Sequence, residues 1–210
     1  MAGPYLAVLD YGIGNLRSAE KALQHVGADA RLVTSPVEVA GAAGVVLPGV
    51  GAFGACMAAL RASGLDRVVY DTVDAGTPFL GICVGMQMLY QGSDEDPAAA
   101  GLGVLPGRIR LLPEGVKRPQ MQWNRLDVLD DGDALVGGLG AGAWVYFVHS
   151  YAAEPTDDVS ATCDYGGPVV AAVGRPGLWA TQFHPEKSGT VGLGLLRRFV
   201  DVCAGTAEAA

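Results

Sequence analysis

Charge is scarce in this sequence. Only 17% of its 210 residues are charged while half are hydrophobic, which excludes a disordered chain and leaves enough apolar material for a sizeable core. What charge there is leans acidic, with a formal net charge of -8 and a pI near 4.7, so nucleic acid, which needs a basic face, is set aside as a partner. No apolar stretch reaches the roughly 18 residues of a membrane span. The first ten residues, MAGPYLAVLD, lack a basic lead and a small-residue cleavage pattern, so no secretory signal is read. The cysteines, Cys56, Cys83, Cys163 and Cys203, form no Cys-x-x-Cys pair, which argues against both a disulfide framework and a zinc site. These absences predict a soluble, cytoplasmic protein with reduced thiols. Neither an internal repeat nor a linker interrupts the chain. One domain is expected over residues 1–203, followed by a frayed Ala-rich tail at 204–210.

Apolar runs and helix-like segments alternate through the first half. LAVLDY (Leu6 to Tyr11) reads as a buried strand, and the helix after YGIGN carries Leu16, Ala19, Leu23 and Val26 at spacings of three and four, with Gly27 placed to end it. A second strand is predicted near Ala30 to Val33, then a cap at Ser35 with Pro36 opening a helix. GVVLPG (Gly44 to Gly49) is a third strand, helices follow from about Ala55 to Gly76, and PFLGI (Pro78 to Ile82) is a fourth strand leading through Cys83 into the helix VGMQMLYQ. That order predicts an α/β fold of three layers, with a mostly parallel central sheet between helices on both faces. The second half differs. Gly and Asp dominate Gly92 to Gly103, then GRIRLL, AWVYFVHSY, VSATCDY, PVVAAV and LWATQF read as strands separated by close turns, predicting hairpins that extend the sheet in antiparallel fashion before a last helix from about Gly189 to Val202.

Cys83 stands between glycines in GICVG. A strand that runs straight into a helix must turn sharply, and the residue at the turn is presented over the C-terminal edge of the sheet, the logic of a nucleophile elbow with sulfur in place of oxygen. The helix start at Val84 favours a thiolate, and its backbone N–H would face a developing oxyanion. An inert core cysteine is the competing interpretation. A thiol nucleophile needs a base, and there are three histidines: His25 late in the first helix, His149 at the end of FVHSY's strand, and His184 in TQFHPEKSG. Pro185 biases His184 toward extended chain, where residues two apart project to one side, so Glu186 is expected to reach it; a solvated His-Pro-Glu turn is the alternative. PGVGAFG, Pro48 to Gly54, has the glycines to turn N–H groups into a pocket, although by itself it is a glycine loop like many others. YGIGN is a weaker phosphate signal still.

Together GICVGMQ, PGVGAFG and HPEKSG resemble the triad glutamine amidotransferases, whose fold is flavodoxin-like. DYGIGNLRS, KRPQMQWN (Lys117 to Asn124) and YFVHSY (Tyr146 to Tyr151) look most like the glutaminase subunits of the imidazole glycerol phosphate synthases. The resemblance implies glutamine hydrolysis through a cysteinyl thioester, with Cys83 as nucleophile, His184 as general base and acid, and Glu186 as the orienting carboxylate. It further implies an oxyanion hole from Gly51 and Val84, substrate contacts from Gln87, Glu95, Ser150 and Tyr151, and a partner contact at Lys187. Glutamine is the implied substrate, no cofactor or metal is implied, and the implied partner is a (β/α)8 barrel cyclase that uses the ammonia to make imidazole glycerol phosphate in histidine biosynthesis. The chain departs from the family where Gln120 and Gln122 replace the usual His and Gly, and where Ala52 replaces a common His. Two alternatives stay open: service to another synthase, and a non-catalytic α/β interaction module.

Overall fold

The computed structural model describes residues 3–140 and 142–206. The first half follows the predicted alternation: β1 (Tyr5–Leu9), α1 (Leu16–His25), β2 (Asp29–Val33), β3 (Gly44–Gly49), α2 (Phe53–Ala62), α3 (Leu65–Asp74), β4 (Phe79–Cys83) and α4 (Val84–Met88). Leu16, Ala19 and Leu23 form the buried stripe of α1, as their spacing requires. The helix expected after Ser35 is a single 3-10 turn, Pro36–Val39, with the Glu38 carboxylate accepting the Thr34 and Ser35 N–H groups at 2.9 and 3.0 Å.

The second half holds short strands, and more of them than its composition suggested: β5 (Gly92–Ser93), β6 (Asp96–Ala100), β7 (Ile109–Leu111), β8 (Gln120–Arg125), β9 (Asp127–Val128), β10 (Trp144–His149), β11 (Tyr151–Ala153), β12 (Val159–Asp164), β13 (Pro168–Arg175) and β14 (Leu178–Thr181), before α5 (Gly189–Cys203). The Ala204 N–H still bonds the Val200 carbonyl at 2.9 Å, and residues 207–210 of the expected tail lie outside the described residues.

The central sheet runs β2-β1-β3-β4-β14-β13-β12-β9. Pairings from β2 to β14 are parallel, and those beyond β14 are antiparallel. From β1 to β2 the chain steps one way across the sheet and from β3 to β4 it steps the other. Right-handed crossovers therefore put α1 on one face and α2 and α3 on the opposite one, and α5 packs beside α1. The antiparallel extension is real but smaller than predicted. GRIRLL and the whole of AWVYFVHSY leave it: β7 pairs β11, which begins at Tyr151, in a four-stranded sheet with β5 and β6, and β10 pairs β8 as a separate two-stranded ribbon.

The decisive placement is that of β14. Although it comes late in the chain, it lies directly beside β4, with Thr181 opposite Ile82. The C-terminal ends of both strands open on the same edge.

Candidate active site

No loop residue separates β4 from α4, so Cys83 is the last residue of the strand and the cap of the helix at once. Its backbone takes φ 56° and ψ -112°, the one positive φ outside glycine among the described residues. Such a conformation costs about 1–3 kcal/mol and persists only where the surroundings enforce it. The flanking glycines explain the enforcement. A Cβ at Gly85 would sit 1.8 Å from the Leu47 carbonyl oxygen, and one at Gly81 would meet Ala180 and the Met86 backbone at 3.1 Å. Both glycines are required because α4 lies flat on the sheet; neither is itself in the left-handed region. α4 is only five residues long rather than the eight predicted, so its dipole contributes less to a thiolate than a full helix would.

His184 follows β14 after a two-residue step. Its N–H donates to the Tyr146 carbonyl at 3.0 Å and its carbonyl accepts the Ser188 hydroxyl at 2.7 Å, which fixes the backbone on both sides. Nδ1 meets Glu186 Oε1 at 2.8 Å, with both side chains almost wholly buried. The contact is made differently from the expectation: Glu186 sits in a 3-10 turn, Pro185–Lys187, rather than in extended chain. Nε2 has no hydrogen-bond partner of good geometry, yet the Cys83 sulfur stands near enough to act on the ring. Burial is the largest influence on His184 and lowers its proton affinity; the hydrogen bonds and negative charge of Cys83 and Glu186 together outweigh it, and the ring is pushed up to about 9.

His149 is the opposite case. Burial pulls it down to about 4, the Tyr151 carbonyl resists, and the charge of His184 adds to the depression. Its Nδ1 donates to that carbonyl at 2.9 Å, so the ring is neutral with an unshared electron pair on Nε2, which has no partner.

A cavity of about 430 Å³ lies over Cys83 and is lined by Gly51, Val84, Gln87, Glu95, Ser150, Tyr151, His184 and Lys187, with Asn15 and His149 among further residues. The structure therefore brings all the predicted site residues to one place; Glu186 stands behind His184 rather than on the wall. Glu95 accepts the Phe53 N–H at 2.8 Å with one oxygen, tying the start of α2 to the cavity. Gly51 has φ 100°, and its loop is held from behind by the Cys56 thiol donating to the Val50 carbonyl at 3.3 Å and by the Tyr11 hydroxyl donating to the Pro48 carbonyl at 2.9 Å. Among the described residues no group of three or more His, Cys, Asp or Glu side chains is arranged to hold a metal.

Three residues escaped the sequence reading. Asn15 stands just before α1, where its Oδ1 accepts the Ser18 hydroxyl at 2.9 Å, and it reaches the cavity wall. His149 shows in the sequence only as the end of a strand. Gln182 is fully buried and its Nε2 donates to Cys83 Sγ at 3.7 Å; a glutamine inside the apolar run LWATQF was the available signal, because a buried amide must find partners. Of the departures, Gln120 is buried and donates to Cys163 Sγ at 3.7 Å, whereas Gln122 is exposed on β8. Together the arrangement offers a thiol on a strained corner, an imidazole held by a carboxylate, and a pocket sized for a small polar molecule, which is the equipment of acyl transfer.

A family model described as Glutamine amidotransferase class-I matches residues 7–202. The chain is 46% identical over 198 residues to an imidazole glycerol phosphate synthase subunit HisH of Methanothermobacter thermautotrophicus, covering 94% of this chain and 98% of that one. It is 47% identical over 210 residues to the protein of the same name from a Synechococcus species, covering 98% and 97%. Among solved structures, PurLQS from Thermotoga maritima superposes with a TM-score of 0.77 at 19% identity, over 95% of this chain and 99% of the matched one. A glutamine amidotransferase superposes with a TM-score of 0.75 at 22% identity, over 95% and 98%. At those identities the two superpositions speak to the fold.

Proposed function

Because the chain belongs to the class-I glutamine amidotransferases, we propose that Cys83, His184 and Glu186 carry out its glutaminase reaction. The activity itself is that of the glutaminase subunit of an imidazole glycerol phosphate synthase, in histidine biosynthesis. The observation that carries the site assignment is the positive-φ corner at Cys83 set against a His184–Glu186 pair 2.8 Å apart.

In the cycle we propose, Cys83 attacks as the thiolate with the proton held on His184, whose ring is pushed up to about 9. Cys83 Sγ attacks the carboxamide carbon of glutamine; the C–S bond forms as the carbonyl electron pair moves to oxygen. Backbone N–H groups at Val84 and in the Gly51 loop receive that oxyanion. His184 passes its proton to the amide nitrogen, the C–N bond breaks, and ammonia leaves a thioester. Water then attacks the thioester while His184 takes its proton, glutamate departs, and the thiolate and imidazolium are restored. Glu186 stabilises the imidazolium and fixes its ring throughout. Glu95, Ser150 and Tyr151 hold the amino acid end of the substrate, and no cofactor takes part.

The ammonia goes to a cyclase, as the work of a synthase subunit requires. We infer a (β/α)8 barrel for that partner, with Lys187 at the contact. An exposed cluster supports a docking face here: Met121, Trp123 and Trp144 are 61%, 48% and 54% exposed on the β8–β10 ribbon, and the Trp123 ring reaches to within 3.9 Å of where a Gly189 Cβ would be, two residues past Lys187. No helix among the described residues is long and apolar enough to cross a membrane, and the cytoplasm is the compartment we assign.

The test uses the reconstituted synthase. Cys83→Ala should abolish glutamine-dependent synthesis, and ammonium salts at a pH that supplies free NH3 should restore it. Continued use of glutamine by that variant would remove Cys83 as the nucleophile.

A further inference from the structure

Gln182 lies one residue beyond β14, fully buried, and 99 positions along the chain from the cysteine it touches. Which end of an amide faces a sulfur is decided by what its other end does. Gln182 Oε1 accepts from Gln87 Nε2 at 3.0 Å, which turns Gln182 Nε2 toward Cys83. Gln87 is oriented in its turn, because the same Nε2 donates to the Tyr151 carbonyl at 3.0 Å and a carbonyl oxygen can only accept. The two amides thus form a buried relay with a single sense, starting at a backbone carbonyl and ending in an N–H aimed at the thiol. Such a donor is weak toward a neutral sulfur and becomes strong when the sulfur is charged.

We propose that Gln182 is a positioning residue that holds the Cys83 thiolate, and that Gln87 acts through it by fixing the direction of its amide. The proposal rests on Cys83 being the nucleophile. It also alters what Gln87 can do for glutamine. Both protons of its amide are spent inside the protein, so only its Oε1 is left to meet substrate, and it acts there as an acceptor.

The other groups that bear on Cys83 are His184 and Glu186 after β14, His149 at the end of β10, Tyr11 after β1, Cys56 on α2 and Glu95 after β5. All remain in place in the test variants.

The full chain is alkylated with iodoacetamide across a range of pH, and the rate at Cys83 is followed by peptide mapping. This probe needs no turnover. On the acid limb of the profile, where the thiolate is the minor form, Gln182→Met should slow labelling about tenfold, the worth of a hydrogen bond to a charged group. Gln182→Glu should slow it further because a carboxylate repels the thiolate, and Gln87→Met should slow it about threefold, since the orienting bond alone is lost. At high pH, where every thiol is ionised, all rates should converge on that of the wild type. A glutamine of merely structural importance would lower the melting temperature and leave the pH profile where it was. Unchanged profiles in the folded variants overturn the proposal; if the Gln182 variants do not fold, an unchanged profile in Gln87→Met overturns it alone. Failure of the nucleophile assignment would show separately, as glutaminase activity surviving in Cys83→Ala.

Discussion

Cys83 and Cys163 are both buried, and each accepts a hydrogen bond from a glutamine amide at 3.7 Å, the first from Gln182 and the second from Gln120. Each glutamine also has a histidine close by: His184 is two residues past Gln182, and His149 lies directly opposite Gln120 across the β8–β10 ribbon. The differences lie in backbone and charge. Cys163 sits within β12 in ordinary strand geometry, and burial pushes its thiol up to about 11. Cys83 occupies a strained corner beside an imidazole that its own sulfur and a buried carboxylate together push up to about 9 against the effect of burial. The imidazole across the ribbon from Gln120, His149, is kept neutral by burial, which outweighs the hydrogen bond from its Nδ1 to the Tyr151 carbonyl, and it lines the cavity over Cys83 rather than serving Cys163. An amide donor and burial are therefore common to both neighbourhoods, and only the elbow with its His184–Glu186 pair distinguishes a candidate nucleophile from a core thiol.

The largest effect expected is on turnover. Cys83→Ser should lower glutaminase activity by about 10⁴-fold or more, whereas Cys163→Ser should stay within about threefold of wild type in a steady-state assay; comparable losses would erase the distinction. Next comes His184→Ala, with a loss of about 10²–10⁴-fold, to be compared with His149→Asn, which removes a neutral ring that takes no part in proton transfer and should cost less than about tenfold. If the losses ranked the other way, the base would have been misassigned. Third, iodoacetamide applied to the native protein at neutral pH should label Cys83 well before Cys56, Cys163 or Cys203, all of which burial raises; equal labelling would break the comparison at its root.

The smallest effect is on stability, and the two histidines should move it in opposite directions. His149 has a folded value of about 4, below the unfolded 6.5, so the stability it contributes is present above pH 6.5 and is lost as pH falls toward 4. His184 has a folded value of about 9, above 6.5, so its contribution is present below pH 6.5 and is lost as pH rises through 9. Denaturant unfolding across pH should show the acid loss, up to about 3 kcal/mol, shrink in His149→Asn, and the alkaline loss shrink in His184→Ala. An acid limb identical in wild type and His149→Asn would mean that His149 does not carry it.

Much of this was legible in the chain because the signals are local. The continuous apolar runs of β1, β3 and β4 and the three-and-four spacing along α1 are visible within a few residues of chain, and GICVG and HPEKSG state their chemistry within a few positions. The antiparallel half was harder. β5 has only two residues and β6, DPAAA, is largely exposed with no apolar alternation to reveal it, and β7 and β10 show the strand pattern without showing which sheet each joins.

A thiol on a strand-to-helix corner and a histidine with a carboxylate within reach both follow from residues adjacent in the chain. Tertiary structure alone decided that these two corners meet. Strand order is set by long-range packing and hydrogen bonding, which leave no mark on any single stretch, and it was the placement of β14 against β4 that brought His184 and Gln182 to Cys83. The same holds for the buried amides. Nothing in the letters of Gln87, Gln120 or Gln182 tells which donor faces which acceptor, because a buried polar group takes its partners from whichever distant strand encloses it.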